Sequence, residues 1–314
     1  MKRIPFFMAL TAIALLANSC GSTLPKGVLK ESYIHKYGVA MSKKDWQSRG
    51  SHGKVVSTLD NGSLITRSYE GGALNGKTTT TFPHSLTIEK TELYENGNLI
   101  SQVQHYTSGI PMLEESLESK GKRVTTWYED GTPQSFEEYE GSHLTSGEYF
   151  TYQNEMESRV QQEEGLRIRR DAYGNMLSKD LIQNGDMILR STFHENGDPK
   201  STTEYSSGVP NGLRKTFWIG GQPNTLEEWF EGKQHGITTI YQNGQLWATV
   251  PYVNGKRDGT EKRFREGDLL VEEIEWSEGQ KHGSYRTYIG ETVSTKWFFQ
   301  GKSVSKFAFE EFAR

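Results

Sequence analysis

From about residue 51 to residue 301, apolar and polar residues alternate in short runs, and the runs end at glycines. The clearest stretch is C-terminal. Phe193-His-Glu-Asn-Gly197, Gly221, Tyr241-Gln-Asn-Gly244, Gly267 and Tyr288-Ile-Gly290 form one series, with glycines 24, 23, 23 and 23 residues apart. A second series closes each unit at Gly212, Gly236, Gly259 and Gly283, at intervals of 24, 23 and 24. Gly232, Gly255 and Gly279 each precede a closing glycine by four residues. A register held over about a hundred residues marks an internal repeat. Asp60-Asn-Gly62, Tyr94-Glu-Asn-Gly97 and Tyr128-Glu-Asp-Gly131 are weaker upstream copies, and residues 150–170 are the least regular.

Glycine after Asn or Asp suits tight hairpin turns, because both central residues of a type I′ turn need positive φ. Turns every 10–12 residues leave strands of about six to eight residues, rich in Thr, Tyr, Trp, Phe, Ile and Val. The spacing therefore predicts an all-β protein. It would be an elongated, curved antiparallel meander of ~23-residue two-strand repeats, solenoid-like, covering residues 51–301.

Period two also predicts facing. Counted from the closing glycines, Phe217, Tyr241, Phe264 and Tyr288 recur at one offset. Counted from the first glycines, Phe193, Tyr205, Trp229, Tyr252 and Phe298 recur at another, with Trp276 one residue late, as a β-bulge would make it. One aromatic face and one mostly polar face are expected. Tyr205, Trp229, Tyr252, Trp276 and Phe298 are the candidate aromatics, first as a stacked structural core and second as a ligand platform.

The first twenty residues follow another rule. Met1-Lys2-Arg3 is a positive start, Ile4 to Ala17 is apolar, and Ala17-Asn18-Ser19 is a small-residue cleavage context. The apolar run reaches about 21 Å as a helix, short of a ~30 Å hydrocarbon layer. Residues 1–19 thus read as a signal peptide. Cys20 is the one cysteine of the chain, which excludes an intramolecular disulfide and a cysteine-cluster metal site. Ala17-Asn18-Ser19-Cys20-Gly21 resembles a bacterial lipobox, which implies lipidation of Cys20 and a membrane anchor through its acyl chains. Gly21-Ser22-Thr23 carries no acid, a pattern that in lipoproteins resembles sorting to the outer membrane or cell surface. Residues 20–50 read as a tether and N-terminal cap, with a short helix between Tyr33 and Arg49. Residues 302–314, with Phe307-Ala-Phe-Glu-Glu-Phe312, read as a C-terminal cap, since open sheet edges need cover.

Composition agrees with a thin sheet. Of 314 residues only 33% are hydrophobic, yet the chain holds 33 Gly, 7 Trp, 15 Tyr and 14 Phe. Mean hydropathy is −0.71. Loss of Lys2 and Arg3 with the signal peptide leaves 34 basic against 40 acidic residues, so no basic face is available for nucleic acid.

The unit Y-x-N-G-x7-Y-x-x-G-x-x-x-G-x4-[FY] resembles the MORN-repeat-variant family of bacterial proteins. Gly232-Lys-Gln-His235-Gly236 and Gly279-Gln-Lys-His282-Gly283 match its G-x-x-H-G turn, and Gly208-Val-Pro-Asn-Gly212 matches more loosely. The resemblance spans most of the chain. It implies an elongated, curved antiparallel sheet and the family's label as an antitoxin component of toxin–antitoxin systems. An antitoxin meets its toxin in the cytoplasm, which the export signal opposes.

Catalytic patterns are few. Gly71 to Thr78 fits G-x4-G-K-[ST], but four threonines follow where a P-loop must open a helix. The eight histidines form no zinc-spaced set, and His235 and His282 occupy equivalent turn positions. Glu137-Glu138, Glu227-Glu228 and Glu272-Glu273 each shortly precede an aromatic, but neighbours on a strand point to opposite faces. The expectation is a non-catalytic exported lipoprotein, without cofactor or metal, binding or scaffolding a protein partner in the envelope. An envelope ligand binder (glycan, peptidoglycan or lipid headgroup) is the alternative, and an antitoxin-like component the second. Exposed Trp on one contiguous face discriminates the first two, since several exposed rings favour a glycan or headgroup.

Overall fold

The computed structural model describes residues 24–312. Cys20 and the expected signal peptide and cleavage site lie outside them.

Among the described residues, twenty-eight strands join in one antiparallel sheet. The sheet is a meander in which each full-length strand pairs with the next along the chain. Val209–Phe217 pairs with Pro223–Phe230, that with Gly236–Gln242, and that with Gln245–Val253. The sheet stays open. Val28–His35 pairs with Gly53–Leu59 at one end and Lys302–Val304 with Thr292–Phe299 at the other, and the two ends do not meet. The sheet is a single layer, so most side chains have a neighbouring strand but no facing sheet.

The sheet starts within the segment read as tether and cap, because Val28–His35 already belongs to it. The helix expected there is Lys43–Ser48, capped by Ser42, whose hydroxyl oxygen accepts from the Asp45 amide at 3.1 Å. Its Trp46 is buried against Tyr33 and Tyr69, with ring centroids 5.8 and 6.1 Å away. At the far end helix Lys306–Phe312 follows the last strand. Gly76–Thr81 is a strand, so Gly76-Lys77-Thr78 opens no helix.

Turns differ between the two long edges. On one edge Ser207-Gly208, Glu231-Gly232, Asn254-Gly255 and Glu278-Gly279 all carry positive φ at both residues, as type I′ turns require. These turns are also bonded to one another. The Gly232, Gly255, Gly279 and Gly301 amides donate to the carbonyls of Pro210, Gln234, Arg257 and Lys281 at 2.8–2.9 Å, each in the preceding repeat. On the other edge Asn243-Gly244 is a two-residue turn with φ of 51° and 78°. Gly197 differs, because its amide bonds the His194 carbonyl at 2.9 Å and the glycine alone is left-handed, with φ 89°. Gly221 (φ 79°) and Gly267 (φ 87°) are likewise left-handed. Trp276 is late because Arg265 and Leu269 flank a three-residue turn, where Gln242 and Gln245 flank two. The extra residue lies in the turn and not in a strand bulge.

Residues 150–170, least regular in sequence, form a joint. Met156–Gln161 and Glu164–Arg170 pair only at Val160–Gly165 and Gln161–Glu164, so the strands diverge. Leu144, Tyr149, Val160, Ile168 and Ile182 form an apolar core in this region, with Tyr139, Met176 and Met187 packed against it. Distant hairpins meet here, as the Leu144 amide donates to the Gly185 carbonyl and the Gly185 amide to Glu163, each at 3.0 Å.

Candidate binding surface

The face carrying Tyr205, Trp229, Tyr252, Trp276 and Phe298 is set by cross-strand register. Trp229 stands opposite Gly212, Tyr252 opposite Gly236, Trp276 opposite Gly259 and Phe298 opposite Gly283. Tyr205 pairs with Pro210. The rings share a face but do not stack on one another. They recur on every second strand, about 9.6 Å apart at the ordinary strand spacing, beyond the ~4.5–7 Å of an aromatic pair. Cations fill the gaps. Arg190 lies over Tyr205 at 6.0 Å, Arg214 over Trp229 at 5.7 Å and Arg257 over Trp276 at 4.8 Å, while Lys281 lies over both Trp276 and Phe298.

The expected single aromatic face is therefore two. Residues Phe217, Tyr241, Phe264 and Tyr288 stand an odd number of positions from glycines on the ring-bearing face, so they lie on the reverse face.

Acids complete the first face. A glutamate two residues before a ring accepts that ring's polar hydrogen: Glu137 from Tyr139 at 2.7 Å, and Glu227 from Trp229 at 2.8 Å. Ile274 holds this place before Trp276, and the buried Trp276 Nε1 has no partner. Glu137 also accepts from Tyr149 at 2.9 Å. Burial first, then the Glu137 charge, pushes the Tyr139 hydroxyl up to about 12 and that of Tyr149 further. At the joint, wholly buried Asp180 accepts from Arg167 at 2.8 and 3.0 Å and from Arg190 at 2.8 and 2.9 Å. Burial alone would raise its carboxyl, but the hydrogen bonds and charges of Arg190 and Arg167 hold it below the usual carboxylate range.

The paired glutamates divide between faces. Glu227 is buried beside Trp229, whereas Glu228 lies on the reverse face, its carboxylate filling the place a Cβ on Gly236 would take. Glu204 does the same at Gly212 and also accepts from the Leu213 amide at 2.9 Å. Glu275 repeats it at Gly283 and accepts from the Ser284 amide at 2.8 Å. Carboxylates on opposite sides of a strand cannot flank one scissile bond. Among the described residues no group of three or more His, Asp or Glu side chains is placed to hold a metal ion.

The reverse face is less satisfied. Leu213, Phe230, Ile237 and Val253 are 40–54% exposed. Leu213, Phe230 and His235 line an open hollow of about 480 Å³ with Gly212, Glu228, Trp229 and Asn254. The His235 and Phe230 rings lie 6.0 Å apart. This patch was legible in the alternation, at Leu213 and Ile237 directly after their closing glycines, but the aromatic four residues later dominates that reading. Of the tryptophans among the described residues, Trp218 alone is largely exposed, and it sits in a turn.

No family model matches the chain, and no curated protein does. Among solved structures, a porin-like protein from Bacteroides uniformis aligns over 81% of this chain and 89% of its own, at 8% identity and a TM-score of 0.17. A score that low places no constraint on this chain.

Proposed function

We propose that this protein is a non-catalytic scaffold of the bacterial envelope, exported and anchored through lipid on Cys20, that offers the reverse face of its sheet to a protein partner. The reading rests on one contrast. The ring-bearing face neutralises its own polar groups, as Arg214, Glu227 and Trp229 do together. The reverse face leaves a cluster of aliphatic and aromatic side chains in water. An exposed apolar cluster rimmed by polar residues is the ordinary character of a protein contact. A glycan platform would instead expose several Trp rings on one face, and here the rings lie under arginine and lysine.

Purified residues 20–314 should stay in the supernatant when peptidoglycan sacculi or phospholipid vesicles are sedimented. Photo-crosslinking from position 213 or 237 in intact cells should give one discrete protein adduct. Retention on sacculi or vesicles, with no adduct, would replace this reading by the envelope-ligand alternative.

A further inference from the structure

Charge is divided along this chain. Residues 24–54 carry seven basic and two acidic side chains, whereas residues 55–314 carry 27 and 38. All seven cations are exposed, and among the described residues none is ion-paired. Farther along the sheet cations find acids, as Lys90 finds Glu92, Arg167 finds Asp180 and Arg263 finds Glu261. Exposed apolar side chains lie among the unpaired cations. Leu29, Tyr37 and Val39 are 60–78% exposed, and Lys36, Tyr37 and Val39 share the turn after Val28–His35.

These groups gather at one end of the sheet. Val28–His35 is its terminal strand, paired with Gly53–Leu59 on one side and on the other only through Tyr33–Met41 and Ile34–Ala40. Lys30, opposite Thr58, and Lys54, opposite Ile34, lie on one face of that end. On the other face Trp46, buried against Tyr33 and Tyr69, holds the helix that carries Lys43 and Lys44. Leu24 lies beside the free edge, sharing a hollow of about 320 Å³ with Glu31, Tyr33, Met41, Ser42 and Lys43. It follows Cys20 by four residues, a reach of at most about 14 Å. Acyl chains on Cys20 therefore bring this end of the sheet, and not the far one, against a bilayer.

Building on the reading of a scaffold anchored through Cys20, we propose that this end is a docking surface for anionic phospholipid headgroups, which stands the sheet end-on upon the bilayer. Basic side chains meet headgroup phosphates, and Leu29, Tyr37 and Val39 enter the interfacial layer between them. The acyl chains retain the protein, and the patch sets its orientation. Alone such a patch binds only marginally, so the chain without acyl groups stays in solution. End-on placement carries the reverse-face cluster at Leu213 and Ile237 away from the membrane. Lysines on an edge strand also discourage pairing with other chains. Glutamates do so equally, so reversal of charge separates the two roles.

The test uses the acylated protein, purified from membranes and reconstituted in phosphatidylcholine vesicles with or without phosphatidylglycerol. Thioether formation consumes the Cys20 thiol, so an introduced cysteine is the only free one. A fluorophore on Val39→Cys should be about threefold less accessible to acrylamide with phosphatidylglycerol than without it. One on Ser303→Cys, at the other end of the sheet, should be equally accessible in both. Lys36→Glu, Lys43→Glu and Lys44→Glu together should abolish protection at position 39 without lowering the melting temperature, since none of the three is ion-paired. Salt of about 1 M should release the protection with no substitution at those lysines. Protection at position 39 that is absent, matched at position 303, or indifferent to both charge reversal and salt overturns the docking surface. A mature protein whose mass shows no acyl chain on Cys20 defeats the anchored reading and the docking surface with it. Acylated protein without protection defeats the docking surface alone. Protection without a crosslinked partner at position 213 or 237 leaves the docking surface standing and defeats the scaffold.

Discussion

Trp229 and Gly212 are direct cross-strand partners, a large ring set against backbone that carries no side chain. Three more repeats keep the arrangement, with Tyr252 on Gly236, Trp276 on Gly259 and Phe298 on Gly283. A ring lying over a glycine covers backbone that would otherwise face water, and at Trp229 and Trp276 it leaves room for an arginine above it. In a single layer this is the main way to bury aromatic surface.

Trp229→Ala should therefore lower the melting temperature before any binding is affected. Trp229 is half-buried, so the loss is expected at about 2–3 kcal/mol, below the ~3–5 kcal/mol of a fully enclosed aromatic. Its Nε1–H bond to Glu227 and its contact with Arg214 go with it. Chemical denaturation measures this. An unchanged midpoint, together with loss of a ligand, would make the ring a binding platform instead.

Gly236→Ala meets two obstacles, a φ of 105° and the Glu228 carboxylate where the methyl must go. Destabilisation of about 1–3 kcal/mol is expected. Glu228→Ala in the same chain should recover part of that loss by removing the collision, while the backbone cost remains. Gly244→Val should cost a similar ~1–3 kcal/mol, chiefly from its φ of 78°, while the Gln222 side-chain oxygen 3.2 Å from the missing Cβ must give way as well. A double-mutant cycle on Glu228 and Gly236 that shows no coupling would reject the packing account.

Asp180→Ala should be the most damaging single charge removal, at about 3–5 kcal/mol, because it strands Arg167 and Arg190 at the joint. The same group predicts an acid limit. Its folded pKa is depressed, so its contribution is complete above the unfolded value of about 4 and is lost as pH falls through the lower folded value. Melting temperature should hold from neutral pH to about 5 and drop below about 4. Asp180→Ala should flatten part of that drop.

Tyr139 gives the opposite limb. Its folded pKa is raised to about 12, so the stability it contributes is present below about 10 and disappears as pH climbs toward 12. Tyr139→Phe should reduce alkaline loss between those values. Ultraviolet titration at 295 nm should show a tyrosine fraction that ionises only on unfolding.

Metabolic labelling with an alkyne fatty acid should mark the protein, and Cys20→Ala should abolish the label. Unchanged labelling, or mature protein that retains Met1, would reject anchoring through Cys20.

Local chemistry made much of this molecule readable from its residues. Turn glycines are legible because left-handed φ is a local demand that few other residues meet. Strand length and alternation are legible because the pleat repeats every two residues. A short helix between Tyr33 and Arg49 could be expected because residues 21–50 lack the repeat, whereas Phe307 to Phe312 read only as a cap and the structure makes it a helix. The sharing of one face by Tyr205, Trp229, Tyr252, Trp276 and Phe298 was also visible, since equal spacing from equivalent turns gives equal facing. What the tertiary structure alone decided was everything set by register and by contact between distant hairpins. A shift of one residue in pairing turns a side chain to the other face, so only the pairing of Gly212 with Trp229 shows that Phe217 and its counterparts lie on the reverse side. The joint exists because Leu144 and Gly185, far apart in sequence, come together over a core that no repeat pattern announces.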